Sequence, residues 1–503
     1  APRLTIAAVR LDELAGVAGS ARVVGDESVE ISELAYDSRR VRPGTLFFCV
    51  PGEKVDGHEF GAAAVEAGAT ALVVERELPT LSVPQVLVED ARAAMAPMAA
   101  RFHQDPTAEL KIAGITGTNG KTTTAFLLRE ILESAGMQCG LLGTVKQVVG
   151  GVEEEVERTT PEAIDLQATF RRMLDGGDRA CAMEVSSHAL VLHRADAIHF
   201  DVALFTNLTQ DHLDFHADME DYFRSKRLLF EMGPATAIVN VDDRYGRRLA
   251  EEFECVTLST EGADADLVAH DITLSATSAE FTVTTPPMGL KRDHASRFGP
   301  IGGELGVRIA LPGHFNVANA LGAFAVAVAL GVEPGAAAAG LARAAPPPGR
   351  FEPIDEGQPF AVLVDYAHTP DSLENVLRAA RRLGEGRVIS VFGAGGDRDR
   401  GKRPQMGRAG AELSDLAIVT SDNPRSEDPE AIVAEILAGI DDRDGVEVEV
   451  DRRAAIALAL SQAEPGDTVV IAGKGHEQGQ EFENGRKLPF DDREVAREEL
   501  RRL

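Results

Sequence analysis

The stretch Lys111-Ile-Ala-Gly-Ile-Thr-Gly-Thr-Asn-Gly-Lys-Thr-Thr-Thr124 predicts a strand, a glycine-rich turn and a helix in direct succession. The apolar run that ends at Ile115 predicts a buried strand, and apolar residues at helical spacing follow Thr122. The turn glycines let backbone N–H groups close around a phosphate. The strict phosphate-loop pattern has glycine where this chain has Ile115, so a chance glycine-rich turn is the alternative. The strand before the turn and the helix after it favour a loop that binds the phosphates of ATP.

The length and net charge of the chain limit the classes of protein to which it can belong. At 503 residues the chain exceeds a usual single domain, and its hydrophobic content of 44% is ample for sizeable cores. The formal net charge of -30 argues against a nucleic-acid-binding protein, because nucleic acids are bound by basic faces. In so acidic a chain, the few basic clusters indicate where anionic ligands bind.

Cysteine usage and hydropathy predict a cytoplasmic protein without a membrane span. The first residues lack the apolar core of a signal peptide. The longest apolar stretch, Val317 to Val332, is shorter than the ~20 residues that cross a bilayer. The scattered cysteines form no Cys-x-x-Cys pair, and we expect reduced, buried thiols at Cys49, Cys139, Cys181 and Cys255.

The order of elements predicts an α/β fold. Strand and helix patterns alternate from the phosphate loop to about residue 260, which is typical of a parallel sheet covered by helices. Alternating patterns at Ser278 to Thr284 and Gly306 to Leu311 predict an antiparallel insertion. Ala344-Ala-Pro-Pro-Pro-Gly349 is the clearest linker, and a second α/β series follows it.

Three features of the central region are candidates for metal binding. Glu184 ends a predicted strand, where an acid is the usual second anchor for the Mg²⁺ of a nucleotide; a plain strand-end acid is the alternative. The segment Asn207 to His216 holds two aspartates and two histidines, as a metal site or a polar surface loop would. Lys226 lies on a predicted helix, Tyr222 to Phe230, and taken alone is a solvated lysine.

In the last third of the chain, polar loops follow three predicted strands. Phe392 to Arg403 concentrates basic residues, which indicates an anionic ligand. Asp422-Asn-Pro-Arg425 and Gly473-Lys-Gly-His-Glu477 occupy equivalent positions after their strands. Each alone could be a capped turn, but together they predict a binding edge at the carboxyl ends of one sheet.

These motifs resemble those of the Mur ligases, the ATP-dependent enzymes that build the peptide stem of peptidoglycan. The resemblance extends from Asp37-Ser38-Arg39 to Gly475-His476-Glu477 and is greatest to the members that add the third residue to UDP-N-acetylmuramoyl-dipeptide. It implies a UDP-binding α/β domain over residues 1–90, a phosphate-loop ATPase with a mainly parallel sheet over 91–345, and a Rossmann-like domain over 346–503 that holds the incoming amino acid. Gly-Thr-Asn-Gly-Lys-Thr also occurs in folylpolyglutamate synthetases, whereas Tyr222 to Phe230 and Asp422 to Arg425 are more specific.

The resemblance implies roles for individual residues. Residues that would bind ATP are Gly117, Thr118, Asn119, Gly120, Lys121, Thr122, Thr123, Asn316, Asn319, Arg350 and Asp365. Ligands of Mg²⁺ would be Thr122, Glu184, His212 and Lys226, the last carbamylated; Lys121, Lys226, His212 and Arg350 would be the catalytic set. The uridine and muramoyl-dipeptide contacts would be Ser38, Arg39, Thr159, Thr160, Ser186 and Arg194, with a departure at Leu192, where some members have glutamine. Contacts to the incoming amino acid would be Arg398, Asp422, Asn423, Arg425, Gly473 and Glu477.

By this resemblance the chain is a monomeric ligase that phosphorylates the D-Glu carboxylate of UDP-MurNAc-L-Ala-D-Glu and then forms an amide. Arg425 favours meso-diaminopimelate as the amine, because a guanidinium grips the second carboxylate of that amino acid and repels the ammonium of lysine. Addition of L-lysine is the alternative within the family. A phosphate-loop kinase of small molecules is the alternative from another class, and a binding protein without catalysis fits the motifs poorly.

Overall fold

The computed structural model describes residues 8–52, 55–156, 158–213, 215–284 and 304–503. These residues form two compact units. The first draws on Ala1–Thr116, Gly136–Leu204 and Glu220–Ala237, and the second on Gly117–Ala135, Phe205–Met219 and Ile238–Leu503.

Strands and helices alternate along the described residues. The strands are β1 Val9–Arg10, β2 Arg22–Val24, β3 Glu30–Ile31, β4 Glu33–Ala35, β5 Thr45–Phe48, β6 Ala69–Val74, β7 Gln85–Leu87, β8 Lys111–Thr116, β9 Cys139–Leu142, β10 Gln147–Val149, β11 Val152–Glu154, β12 Ala180–Glu184, β13 Phe200–Phe205, β14 Thr236–Asn240, β15 Val256–Ser259, β16 Leu267–Leu274, β17 Ala279–Thr284, β18 Leu305–Ile309, β19 Glu352–Pro353, β20 Ala361–Asp365, β21 Val388–Phe392, β22 Leu416–Val419, β23 Val446–Val448, β24 Thr468–Ala472, β25 Gly479–Glu481 and β26 Lys487–Pro489. The helices are α1 Leu11–Ala15, α2 Gly61–Glu66, α3 Ala91–Phe102, α4 Lys121–Ser134, α5 Ala163–Asp175, α6 Ser187–Val191, α7 Met219–Glu231, α8 Arg244–Glu252, α9 His314–Ala329, α10 Pro334–Arg343, α11 Pro370–Arg381, α12 Lys402–Leu413, α13 Pro429–Leu437, α14 Arg452–Gln462 and α15 Asp492–Leu500.

The first unit begins with a five-stranded sheet in the order β2-β7-β6-β5-β4, parallel except for β2. The alternation from Glu30 to Ala35 predicts one strand, and the structure has two. β3 pairs with β1, and after Ser32 the chain crosses to pair as β4 with β5. The strand divides because its two halves pair with different strands, which local alternation does not reveal.

The same unit holds the strands that lead to the phosphate loop. β12 lies between β8 and β9 and is parallel to both, while β9, β10 and β11 form an antiparallel ribbon. Helix α5 packs with α3. β8 and β12 are buried along nearly their whole length, as continuous apolar runs in parallel sheets are.

In the second unit, α4 packs against α9 and α10. β14, β15 and β16 are parallel, and β16, β17 and β18 are antiparallel, which confirms the predicted antiparallel insertion. The part of that insertion at 285–303 lies outside the described residues.

The end of the chain forms a six-stranded sheet in the order β19-β20-β24-β21-β22-β23, parallel from β20 onward. Apolar residues of α11, α12 and α13 pack on one of its faces and those of α14 and α15 on the other. The carboxyl ends of β20, β21, β22 and β24 therefore meet at one edge, as the sequence predicts.

The mixed α/β fold with mainly parallel sheets is confirmed. Among the described residues, no helix combines the length and the apolar character that a membrane crossing requires. The predicted buried thiols are also confirmed, since Cys49, Cys139, Cys181 and Cys255 are free and buried.

Candidate active site

The glycine-rich loop joins β8 to α4. Gly120 has a φ of +87°, and a Cβ atom there would collide with the side chain of Asn319. Gly117 has a φ of +149°, and a Cβ atom there would collide with Thr206 Oγ1. Both positions therefore exclude side chains, and α4 begins at Lys121 with its N-terminal N–H groups facing the loop, the usual arrangement for binding a phosphate.

Lys121 folds back over this loop. Its Nζ donates hydrogen bonds of 2.8 Å to the carbonyl oxygens of Gly117 and Thr118. Thr122 and Thr123 are buried in the first turn of the helix. The arrangement keeps a positive charge at the place where phosphates would enter.

The segment after β13 fixes the loop from the other side. Thr206 Oγ1 donates to the carbonyl oxygen of Asn119 over 2.7 Å. Asn207 accepts from the backbone N–H groups of Thr118 and Asn119, each over 2.9 Å. These bonds fix the loop backbone against the segment that follows β13.

The side chain of Asn119 reaches a further pair of residues. Its Nδ2 donates to Thr209 Oγ1 over 3.2 Å, and Thr209 Oγ1 donates to Asp371 Oδ2 over 2.8 Å. Burial raises the pKa of Asp371, and the hydrogen bonds from Thr209 and Asn119 act in the opposite direction. No sequence motif points to Asp371, although it follows β20 as the predicted binding loops follow their strands.

The two predicted adenine-side asparagines lie at the start of α9. Both are buried, and Asn319 Nδ2 donates to Asn316 Oδ1 over 3.1 Å. Asn316 Nδ2 donates to the carbonyl oxygen of Pro312 over 2.8 Å. Asn319 also borders Gly120, so the structure brings this predicted residue to the phosphate loop.

Arg350 and Asp365 lie close together after the linker. The Arg350 guanidinium lies 4.6 Å from the centre of the Tyr366 ring, and its buried Nε has no hydrogen-bond partner among the described residues. Asp365 accepts from the backbone N–H groups of Phe351 and Ala367 over 2.7 and 2.8 Å. Burial raises the pKa of Asp365, while the charge of Arg350 lowers it. An unsatisfied guanidinium N–H here fits an anionic ligand.

In the first unit, Glu184 lies at the centre of a threonine cluster. Its side chain is 1% exposed and accepts from Thr144 N and Thr144 Oγ1 over 2.8 and 3.1 Å. Thr144 Oγ1 lies 3.1 Å from Thr159 Oγ1, and Thr160 Oγ1 donates to the Glu184 carbonyl over 2.9 Å. The predicted acceptor residues Thr159 and Thr160 therefore adjoin the predicted metal ligand.

Ser186 and Arg194 extend this cluster. The backbone N–H of Ser186 donates to Thr160 Oγ1 over 3.2 Å, and Arg194 Nη1 donates to the Thr160 carbonyl over 3.3 Å. Arg194 also pairs with the buried carboxylate of Glu162 over 3.0 Å. Leu192 ends α6 as its C-cap residue.

Ser38 and Arg39 form a capped turn in the first unit. Ser38–Arg40 is a single 3₁₀ turn, and the side chain of Asp37 accepts from Arg39 N over 3.0 Å. The Arg39 guanidinium also pairs with Asp37 over 2.7 Å, which lowers the pKa of that carboxyl group. Arg39 remains 87% exposed and open to a ligand, so the uridine contact stays a prediction.

Each unit carries part of the predicted magnesium ligand set. Glu184 and Lys226 belong to the first unit, and Thr122 and His212 belong to the second. Lys226 is 1% exposed, with Nζ 4.6 Å from the centre of the Tyr222 ring, so the solvated-lysine interpretation is wrong. Across the described residues, no group of three or more His, Cys, Asp and Glu side chains could hold a metal ion; Asp214 of the predicted loop lies outside them.

A cavity of about 960 Å³ lies at the carboxyl edge of the last sheet. All six predicted contacts to the incoming amino acid line it, namely Arg398, Asp422, Asn423, Arg425, Gly473 and Glu477. His212 and Asp371 line it as well, as does Lys402, which sequence analysis did not single out. The three polar loops predicted to form a binding edge thus share one cavity.

Two contacts fix the guanidinium of Arg425 in this cavity. Nε donates to Glu481 Oε2 over 2.9 Å, and Nη1 donates to the Gly396 carbonyl over 2.7 Å. A guanidinium has five N–H groups, so three remain, including both on Nη2. The Nη1–Nη2 edge can therefore still bind a carboxylate through two hydrogen bonds.

Three family models match the chain in sequence order. They are the Mur ligase family catalytic domain over residues 30–103, the Mur ligase middle domain over 115–327, and the Mur ligase glutamate ligase domain over 349–475. Their order agrees with the predicted three-domain organisation, whereas the predicted boundaries stay predictions.

Curated relatives match the chain over nearly its whole length. A Streptomyces coelicolor protein named UDP-N-acetylmuramoyl-L-alanyl-D-glutamate--2,6-diaminopimelate ligase is 46% identical and covers 99% of this chain and 97% of its own. A Clostridioides difficile protein of the same name is 43% identical, over 96% and 97% of the two chains.

Solved structures share the fold. The structure of a UDP-N-acetylmuramoyl-L-alanyl-D-glutamate--2,6-diaminopimelate ligase has a TM-score of 0.71 and 30% identity, covering 98% of this chain and 99% of its own. The MurF ligase from Thermotoga maritima in complex with ADP has a TM-score of 0.58 at 19% identity, over 93% and 96% of the two chains, and shows likeness of fold alone. With family models over most of its length and relatives that align from end to end, the chain belongs to the Mur ligase family.

Proposed function

We propose that this chain is an ATP-dependent ligase that joins meso-2,6-diaminopimelate to the D-Glu carboxylate of UDP-MurNAc-L-Ala-D-Glu. The observation that carries the proposal is the single cavity lined by Arg398, Asn423, Arg425 and Glu477, which combines cationic, amide and anionic groups. This combination suits diaminopimelate, which carries an ammonium and a carboxylate at each end. The names of the full-length relatives describe the same reaction.

The reaction has two steps. A D-Glu carboxylate oxygen attacks the γ-phosphorus of ATP, the bond to the β-phosphate oxygen breaks, and ADP leaves. The amine of diaminopimelate then attacks the acyl carbon, loses a proton, and inorganic phosphate leaves with the electrons of the broken C–O bond. The residues act by positioning and by neutralising charge, because three anions must approach one another.

ATP fits the phosphate loop and its surroundings. The loop N–H groups from Gly117 to Thr123 and the Lys121 ammonium bind the phosphates. Arg350 supplies a second positive charge through its unsatisfied guanidinium N–H. Asp365, close to Arg350, binds the ribose, and Asn316 and Asn319 bind the adenine side.

The donor chemistry of Thr122, Glu184 and His212 fits a divalent cation. When bound, Mg²⁺ supplies positive charge against the phosphate oxygens. Lys226 joins this set as a carbamate. Addition of CO₂ to the neutral amine of this buried lysine gives two anionic oxygen donors, which suit a hard cation.

The acceptor binds in the first unit. Thr159, Thr160, Ser186 and Arg194 hold the muramoyl-dipeptide beside Glu184, and Ser38 and Arg39 hold the uridine end. Residues 1–90, 91–345 and 346–503 form the acceptor, ATP and amino-acid domains. The enzyme works as a cytoplasmic monomer.

Phosphate release tests this function. Purified enzyme is assayed with ATP, Mg²⁺ and UDP-MurNAc-L-Ala-D-Glu, with meso-diaminopimelate, L-lysine or no amine. We expect sustained phosphate release with diaminopimelate alone. Equal turnover with lysine would make the chain a lysine-adding ligase, and ADP formation that requires no amine and releases no phosphate would make it a kinase.

A further inference from the structure

Lys474 lies directly behind the amino-acid cavity. Its side chain follows β24 and is wholly buried, at 0% exposure. Nζ donates to Asn423 Oδ1 over 2.8 Å and to Glu477 Oε2 over 3.1 Å. A buried ammonium requires partners of this kind, and here both partners line the cavity.

The amide of Asn423 is fixed in one orientation by this contact. Oδ1 also accepts from the backbone N–H of Glu481 over 2.9 Å, so both of its lone pairs are occupied. Nδ2 donates to Glu477 Oε2 over 2.8 Å. A flipped amide would place its NH₂ group against the ammonium of Lys474, which only donates. Asn423 therefore has one N–H and no carbonyl lone pair left for a ligand.

The two carboxylate oxygens of Glu477 differ in their hydrogen bonding. Its Oε2 accepts from both Asn423 and Lys474, while Oε1 accepts no hydrogen bond from the part of the chain that the structure describes. The carboxylate oxygen that remains can accept from an ammonium. Among these three side chains, Asn423 and Arg425 thus offer donors for a carboxylate, and Glu477 offers an acceptor for an ammonium.

We infer that Lys474 is a specificity-determining positioning residue, which rejects amino acids ending in an ammonium alone by keeping the Asn423 amide as a donor. This inference rests on the proposed function. Lysine would bring its ammonium against the Asn423 N–H and the Arg425 guanidinium. The distal end of diaminopimelate instead offers a carboxylate to Asn423 and Arg425 and an ammonium to Glu477. A site with unpaired polar groups discriminates strongly against the ligand that leaves them unpaired.

The test is Lys474→Met, which keeps most of the length of the side chain and removes its ammonium group. We expect the KM for diaminopimelate to rise about tenfold or more, with kcat changed less than about threefold. We also expect the ratio of kcat/KM for diaminopimelate to that for lysine to fall at least about tenfold, because one lone pair of the Asn423 amide oxygen then becomes available to an ammonium, while the other still accepts from the Glu481 N–H. Arg408→Met, at an exposed position of α12, removes a positive charge elsewhere and should leave both quantities unchanged.

Asn423→Asp provides a second test if Lys474→Met does not fold. It retains an acceptor for Lys474 and removes the N–H donor, so kcat/KM for diaminopimelate should fall at least about tenfold more than that for lysine. An unchanged substrate ratio in Lys474→Met, or in Asn423→Asp, overturns the inference. Wild-type enzyme that uses both amino acids equally would instead overturn the proposed function, so the two failures are distinguishable.

Discussion

Thr209 Oγ1 donates a hydrogen bond of 2.8 Å to Asp371 Oδ2 and accepts one of 3.2 Å from Asn119 Nδ2. One hydroxyl group therefore connects the phosphate loop to the helix α11 that follows β20. The two segments are far apart in the sequence, and this hydrogen-bonded chain sets the position of the Asn119 side chain.

We predict that Thr209→Val and Asp371→Ala each raise the KM for ATP about five- to tenfold, since each removes a hydrogen bond worth about 1 kcal/mol. The double variant should be less impaired than the sum of the two effects, because both changes break the same chain. Steady-state kinetics with varied ATP measures this. Glu412→Ala, an exposed acid on α12, is the control, and strict additivity would contradict the account.

Gly120 is expected to tolerate no side chain. Gly120→Ala adds the strain of a positive φ, about 1 kcal/mol, to a collision with Asn319. Gly136→Ala is a matched control, because its φ is +80° and a Cβ atom there meets nothing within 4 Å. We predict at least a tenfold rise in the Kd for ATP for the first variant only, measured by calorimetry. Equal losses in both variants would show that backbone strain alone is responsible.

Arg425 is expected to determine carboxylate recognition. Arg425→Ala removes charge-assisted hydrogen bonds worth about 1.5–3 kcal/mol, so kcat/KM for diaminopimelate should fall by about ten- to a hundredfold. Activity with lysine should not fall, because lysine has no second carboxylate. Parallel assays with the two amino acids measure this, and an equal loss for both would refute the role.

His103 gives the protein a defined acid sensitivity. Burial lowers the pKa of His103 to about 4, against about 6.5 in an unfolded chain. The unfolded state therefore binds more protons in this range, and stability falls as the pH drops from about 6.5 towards about 4. His103→Leu should flatten this part of the curve, measured as urea midpoints between pH 7.5 and 4.5. Val152→Ala, at an exposed position without a titratable group, should retain the wild-type slope.

Local sequence patterns predicted the elements that carry the site. The buried strand, the glycine turn and the helix at the phosphate loop are present, and the loops ending at Arg425 and Glu477 share the predicted sheet edge. These features were predictable because strand burial and turn glycines leave short-range signals. The parallel order of the strands then places their carboxyl ends together.

Other features depend on contacts between distant parts of the chain. Sequence alternation did not reveal the break at Ser32, because each half of the segment has a different partner strand. The sequence also does not reveal that Lys226 and Lys474 are buried, since a lone lysine in a sequence is most often solvated. The link between Asp371 and the phosphate loop depends on its hydrogen bond to Thr209, which lies 162 residues earlier in the sequence.

The identity of the product distinguishes diaminopimelate addition from lysine addition and from simple phosphorylation. Wild-type enzyme is incubated with ATP, Mg²⁺, UDP-MurNAc-L-Ala-D-Glu and equimolar meso-diaminopimelate and L-lysine, and the products are identified by mass spectrometry. We expect a UDP-MurNAc-tripeptide that contains diaminopimelate, formed together with one ADP and one phosphate. A lysine-containing tripeptide would contradict the assigned specificity, and a phosphorylated acceptor without an amide would contradict the assigned reaction.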